Sequence, residues 1–287
     1  YGESTAEGEE APRAAPWMAA ALCTISPVVN LLGTSAQQET LFTLLVVGAA
    51  WALDKKRYLL AGAILALASL IRYETWGAAV LILGLRALIA VPWVAKRLPE
   101  RALALCRVPL VVAWPSLAAV GGWLLAHKLR EGTWLGVLRE LYRYTHAQRE
   151  SLHRPALWFP LDQPVFVFGS VVLILFVFGL RRAWRTSFVI PAGIYLFLVA
   201  AYLGKGALGS ARYYESLTPF VALGAAYGAC AISRWRWIGR ALFVAAALQL
   251  SALSINLCLW TWPPRTETRA TPAGARLPGR EARLNHS

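Results

Sequence analysis

Two apolar runs, residues 39–53 and 58–71, are joined by the basic turn Asp54-Lys55-Lys56-Arg57 and flanked by Gln38-Glu39 and Arg72-Tyr73-Glu74. Runs of this kind constrain the fold more than any other feature, because a bilayer-crossing helix needs about 20 apolar residues at about 1.5 Å rise each. Further runs occupy residues 14–32, 75–95, 102–127, 164–180, 187–204, 217–232 and 241–262, nine in all. Several are short for the task, so the hydrocarbon boundary recruits their polar neighbours. For the second and third runs those neighbours are Glu39 and the string Arg72 to Glu74. The pattern predicts an all-α chain, a polytopic transmembrane helix bundle of about nine spans.

Composition agrees with that class. Of 287 residues, 57% are hydrophobic and 15% charged, where a soluble domain carries roughly a quarter. The net charge of +14 raises nucleic acid as a partner. However, the arginines stand in short loops between apolar runs, where topology accounts for them, and no nucleic acid is expected. Under the positive-inside rule Lys55, Lys56 and Arg57 are cytoplasmic, as are Lys96, Arg97 and Arg101, then Arg181, Arg182 and Arg185, then Arg234, Arg236 and Arg240. The connections 33–38, 72–74, 127–163 and 205–216 then face outward.

Nine crossings put residues 1–13 inside and the tail 263–287, rich in Pro, Arg and Gly and expected to be disordered, outside. The chain opens on Tyr1 and its one methionine is Met18, so residues 1–13 are expected to be a cytoplasmic loop within a longer parent. Low Lys against high Arg and Ala points to a GC-rich bacterial genome, and so to the plasma (inner) membrane. Cys23, Cys106, Cys230 and Cys258 all lie in apolar segments without metal or redox spacing and read as small buried hydrophobes.

Within the outer segment 127–163, residues 136–152 set Val137, Leu138, Leu141, Tyr142 and Leu152 among Arg139, Arg143, Arg149 and two glutamates. This is the pattern of one amphipathic helix lying on the interface. His146, Glu150 and His153 share a face of it, a spacing that can ligate a divalent metal or form a solvated surface. Asp162, in a Leu-Asp-Gln-Pro turn, is either a proton acceptor or a helix cap.

The outward connections gather Glu39, Arg72, Tyr73, Glu74, Lys205, Arg212, Tyr213, Tyr214 and Glu215 at one rim. A carboxylate there can accept a proton from a hydroxyl, and cations can hold a phosphate through charge-assisted hydrogen bonds. Tyrosines offer a stacking face to a sugar. The competing reading makes these residues interfacial anchors. Glutamates are poor anchors, and their number favours a site.

The stretch Ser26-Pro27 followed by Gly33-Thr34-Ser35-Ala36-Gln37-Gln38-Glu39-Thr40-Leu41-Phe42 resembles a motif of the multi-spanning GT-C glycosyltransferases. So does the hairpin from Tyr58-Leu59-Leu60-Ala61-Gly62-Ala63 to Leu67-Ala68-Ser69-Leu70-Ile71-Arg72-Tyr73-Glu74, and so does Arg212-Tyr213-Tyr214-Glu215 with Pro219-Phe220. The resemblance implies a transmembrane domain over residues 14–262. It also implies inverting transfer of a sugar from a polyprenyl-phosphate-linked donor on the extracytoplasmic face to a lipid, glycan or protein. Protein O-mannosyltransferases and lipid A aminoarabinose transferases are of this kind. It implies that Arg72, Lys205 and Arg212 engage the donor phosphate, that Glu39 and Glu74 shape the sugar pocket with Glu215 beside them, and that Tyr73 and Tyr213 contact sugar or lipid. Some relatives bind a divalent metal. The family carries its catalytic Asp in a first outward loop, and no equivalent precedes Ala14 here. Asp162 is the remaining candidate, and a fragment inactive by itself is one expectation. The rivals are a transporter or flippase and a non-catalytic membrane scaffold.

Overall fold

The computed structural model describes residues 14–29, 38–134, 136, 139, 142, 143, 145, 158–183, 185–204, 211–232 and 236–261. Segments 1–13 and 263–287, the body of the amphipathic helix with His146, Glu150 and His153, and Lys205 all lie outside the described residues. Within them the chain is all-α, with twelve α-helices and no strand.

The hairpin forms as its sequence dictates: α2 (Gln38–Asp54) and α3 (Tyr58–Ile71) flank a turn in which Lys56 takes a left-handed φ of 57°. Elsewhere proline and glycine divide the apolar runs. The first run yields α1 (Ala15–Ile25), which stops at Ser26-Pro27. The 75–95 run splits at Pro92 into α4 (Trp76–Ile89) and α5 (Pro92–Ala95), since proline has no N–H to continue the ladder. The next run breaks at Pro109 into α6 (Glu100–Cys106) and α7 (Leu110–Glu131). Helix α7 continues to Gly132, so His127, expected to open the outer loop, is helical. Then come α8 (Gln163–Phe168), α9 (Ser170–Ala183), α10 (Val189–Leu203), α11 (Thr218–Ile232) and α12 (Arg236–Thr261). Helix α12 takes in Arg236 and Arg240, expected in an inner loop, because no proline separates them from the apolar run and the single Gly239 is tolerated within a helix.

Four stretches are long and apolar enough to cross a membrane: Leu110–Glu131, Thr186–Leu203, Arg212–Ile232 and Trp237–Asn256. A fifth exists if the bent pair Trp158–Phe168 and Ser170–Leu180 is one crossing. These spans mark a multi-pass membrane protein. Helices α2, α3 and α4, at 17, 14 and 14 residues, are shorter than the bilayer core requires by themselves. Trp17, Leu59, Val177 and Trp237 point outward, as side chains in contact with acyl chains do.

Packing builds two groups. Helix α3 lies between α2 and α7, while α4 packs on α7 and α10; α9 packs on α11, which also carries α1 and α12. Helix α2 bridges them, with the 3-10 turn Ala211–Leu217 at one end and Thr186–Phe188 at the other. Arg185 Nη1 reaches Asp54 Oδ2 at 3.9 Å. Two basic connections distant in sequence therefore share one rim, about 22 Å of helix away from Glu39.

The bend between α8 and α9 is 102° and turns on Gly169, whose φ of 77° a side chain would disfavour. Gln249 of α12 stabilises it: its Oε1 accepts from Val171 N–H at 3.1 Å and its Nε2 donates to Ser170 Oγ at 3.2 Å. Gln249→Leu is expected to lower the midpoint of thermal unfolding in detergent, through loss of a cap worth about 0.5–2 kcal/mol. An unchanged midpoint would mean that Gly169 sets the bend without help. Of the cysteines expected to be buried, Cys106 is, whereas Cys23 and Cys230 are only partly so.

Candidate functional site

The site is assembled where α3 ends. Helical geometry stops at Ile71, and Arg72 is extended at φ −145°, ψ 133°. A buried hydroxyl chain beneath it holds that conformation. Thr75 Oγ1 donates to Arg72 C=O at 2.9 Å and lies 3.0 Å from Ser69 Oγ, which donates to Leu65 C=O at 2.9 Å. Ser116 Oγ of α7 lies 2.9 Å from Ser69 Oγ, tying the turn to the helix that contains Pro115.

From this platform the guanidinium of Arg72 reaches two carboxylates. Nε contacts both Glu74 oxygens at 3.1 Å, Nη2 donates to Glu74 Oε1 at 2.6 Å, and Nη1 donates to Glu39 Oε1 at 2.7 Å. Glu39 is 3% exposed, Arg72 8% and Glu74 1%. Burying such charges is tolerable only because they satisfy each other. The rings of Phe42 and Tyr213 lie 5.6 Å and 5.5 Å from the Arg72 guanidinium carbon, close enough for cation–π attraction.

The turn Ala211–Leu217 closes the site from the far half of the chain. Arg212 Nη1 approaches Glu39 Oε1 at 4.0 Å with its side chain 48% exposed, so it stands at the mouth. Glu215 is buried and accepts from Thr40 Oγ1 at a long 3.4 Å. Together Glu39, Phe42, Arg72, Glu74, Arg212, Tyr213, Glu215 and Ser216 line a narrow cleft that is closed in this conformation, with no room for a water molecule between its walls. Three buried polar atoms there have no partner: Glu39 Oε2, Glu215 Oε2 and Ser216 Oγ. Buried lone pairs left unmatched are rare and costly, and a ligand bearing hydroxyl or ammonium donors would satisfy them.

Five residues expected at the rim, Glu39, Arg72, Glu74, Arg212 and Glu215, therefore meet in one cleft with Tyr213. Others do not. Tyr73 is not among the residues that line the cleft but stands behind it, half-buried: its ring lies 6.4 Å from that of Trp76 and 6.0 Å from that of Phe197, and its phenol meets that of Tyr213. Burial, with Tyr213 and Glu74 adding to it, pushes its phenol well above the ordinary range and keeps it neutral. Tyr214 is structural: its hydroxyl donates to Phe159 C=O at 2.6 Å. Asp162 is exposed, makes no side-chain cap to α8 and is not among the cleft residues. Among the described residues no group of three His, Cys, Asp or Glu could hold a metal ion. Lys205, His146, Glu150 and His153 are outside the described residues.

Sequence reasoning missed Ser216 and the Ser69–Ser116–Thr75 chain. Isolated serines in apolar helices carry no signal until two helices bring them together. Phe42 and Thr40 lay within the quoted motif without a role. Compared with known proteins, the chain matches no family model, no curated sequence and no solved structure.

Proposed function

We propose that the protein is a membrane glycosyltransferase of the GT-C type. It takes a sugar from a polyprenyl-phosphate donor on the extracytoplasmic face of an inner membrane, within a bundle of about nine spans. The observation that carries this reading is the cleft itself. Residues from α2, the end of α3 and the Ala211–Leu217 turn converge on one buried carboxylate and guanidinium cluster. The opposite rim holds the basic turn after Asp54 together with Arg185.

Within the cleft the roles divide differently from the family-based expectation. The charge of Arg72 is already matched by Glu39 and Glu74, which makes Arg72 the organiser of the pocket rather than its phosphate ligand. Arg212 is half-exposed and only loosely associated with Glu39, so it is the cation positioned to receive a phosphate. The unpartnered oxygens of Glu39 and Ser216 then take hydroxyls of the donor sugar, and that of Glu215 meets the acceptor.

The test is donor binding and turnover by the purified chain in lipid nanodiscs, offered polyprenyl-phosphate hexoses and pentoses. Arg212→Ala is expected to weaken donor binding about 10- to 100-fold, the value of a charge-assisted contact. Unchanged donor affinity in Arg212→Ala would remove the phosphate role.

One observation favours transport instead. Discontinuous helices line substrate paths in secondary transporters, and α8 and α9 meet at 102° beside the cleft, with Phe159 packed on Tyr214 and Tyr213. Uptake into proteoliposomes without release of polyprenyl phosphate would support that alternative.

A further inference from the structure

We propose that Glu215 is the proton acceptor of the transfer, the group that takes the hydrogen of the attacking hydroxyl; this rests on the glycosyltransferase reading above. Three carboxylates line the cleft, and the arginines engage them unequally. Glu74 is held by Nε and Nη2 of Arg72, and Glu39 by Nη1 of Arg72 at 2.7 Å with Arg212 at 4.0 Å. A carboxylate locked to a guanidinium has its charge matched and is held ionised, and this applies to Glu39 even though its Oε2 also has no hydrogen-bond partner. Glu215 forms no ion pair among the described residues. Its one hydrogen bond, from Thr40, is long, and its Oε2 is buried without a partner on the wall of the cleft. That oxygen is the free, buried lone pair a hydroxyl needs to meet.

Among the described residues, four stretches of the chain line the cleft with it. Glu39 comes from α2, Arg72 from the end of α3, Glu74 from the following turn, and Arg212 and Tyr213 from its own turn. On the neighbouring α10 the rings of Tyr195 and Tyr202 lie against Tyr214 and Phe159, respectively. Arg212 lies three residues before Glu215 in the same turn and lines the same cleft, so a donor phosphate held at Arg212 is bound next to Glu215.

The step balances with no further reactant. The acceptor oxygen bonds to the anomeric carbon while the bond from that carbon to the phosphate oxygen breaks. The bonding pair leaves on the phosphate beside Arg212, and the hydroxyl proton passes to Glu215 Oε2. The products are the glycoside, polyprenyl phosphate and a protonated Glu215, which then returns its proton to solvent.

The experiment uses the full chain in nanodiscs of bacterial lipid, with polyprenyl-phosphate hexoses and pentoses as the probes. It reads donor binding, release of polyprenyl phosphate and the pH profile of that release. With Glu215→Gln, release is expected to fall about 10²- to 10⁴-fold while donor affinity stays within about twofold. The decline in rate at low pH seen in the unmodified chain should disappear. Release by Glu215→Gln within a few fold of the unmodified chain, with that decline intact, overturns the assignment and leaves the transferase reading standing. No release by the unmodified chain from any probe overturns the transferase reading, and the assignment with it. Should Glu215→Gln fail to fold, Glu215→Asp decides: a low-pH decline displaced along the pH axis supports the assignment, and an unmoved one overturns it.

Discussion

Replacing Arg72 with alanine is expected to destabilise the protein by about 3–5 kcal/mol, the largest effect of any single polar substitution in the chain. Two carboxylates, Glu39 and Glu74, would be left buried with no cation in contact, and Arg212 at 4.0 Å from Glu39 is too exposed to replace it. Denaturant titration in detergent measures this loss. Arg72→Lys should recover only part of it, since an ammonium cannot reproduce the two-pronged bond to Glu74 while also reaching Glu39. Neutralising both acids in the Arg72→Ala background should restore much of the stability, because the penalty lies in the orphaned charges. If Arg72→Ala unfolds at the same denaturant concentration as the unmodified chain, the buried ion cluster does not organise this end of the bundle.

Gly228→Val should be comparably severe for a steric reason. Helices α9 and α11 approach so closely that a Cβ at Gly228 would collide with the Leu175 carbonyl and one at Gly179 with the Gly224 carbonyl. Backbone cannot repack as a side chain can, so the helices must separate along their length. A loss of about 3 kcal/mol or more follows, at the upper end of overpacking costs. The internal control is Gly121→Ala in α7, where an added methyl meets nothing within 4 Å. That change should be neutral or slightly stabilising, because alanine is the better helix former. Equal tolerance of valine at 228 and alanine at 121 would show that α9 and α11 are not in contact.

Much of this architecture could be read from the chain alone. The α2–α3 hairpin forms with its expected bounds, because apolar runs, a basic turn and polar ends leave one economical solution. The all-α class and the membrane setting follow from the same runs. Gathering Glu39, Arg72, Glu74, Arg212 and Glu215 needed sidedness alone, since polar groups at helix ends on one face of a bilayer lie in one thin layer. What failed was the reading of continuous spans across Pro92, Pro109 and Gly169. Hydropathy averages over such residues, whereas each removes a hydrogen bond or reverses a dihedral angle.

By itself the sequence determined that this protein lives among helices in a membrane and which charged residues share a rim, because periodicity and charge asymmetry act locally along the chain. Only the tertiary structure decided which acid each guanidinium engages. It committed Arg72 to Glu39 and Glu74, left Arg212 at the mouth, and left Glu215 Oε2 buried with no partner. Ion pairing depends on ångström-scale distances set by side chains far apart in sequence, and no local pattern encodes those.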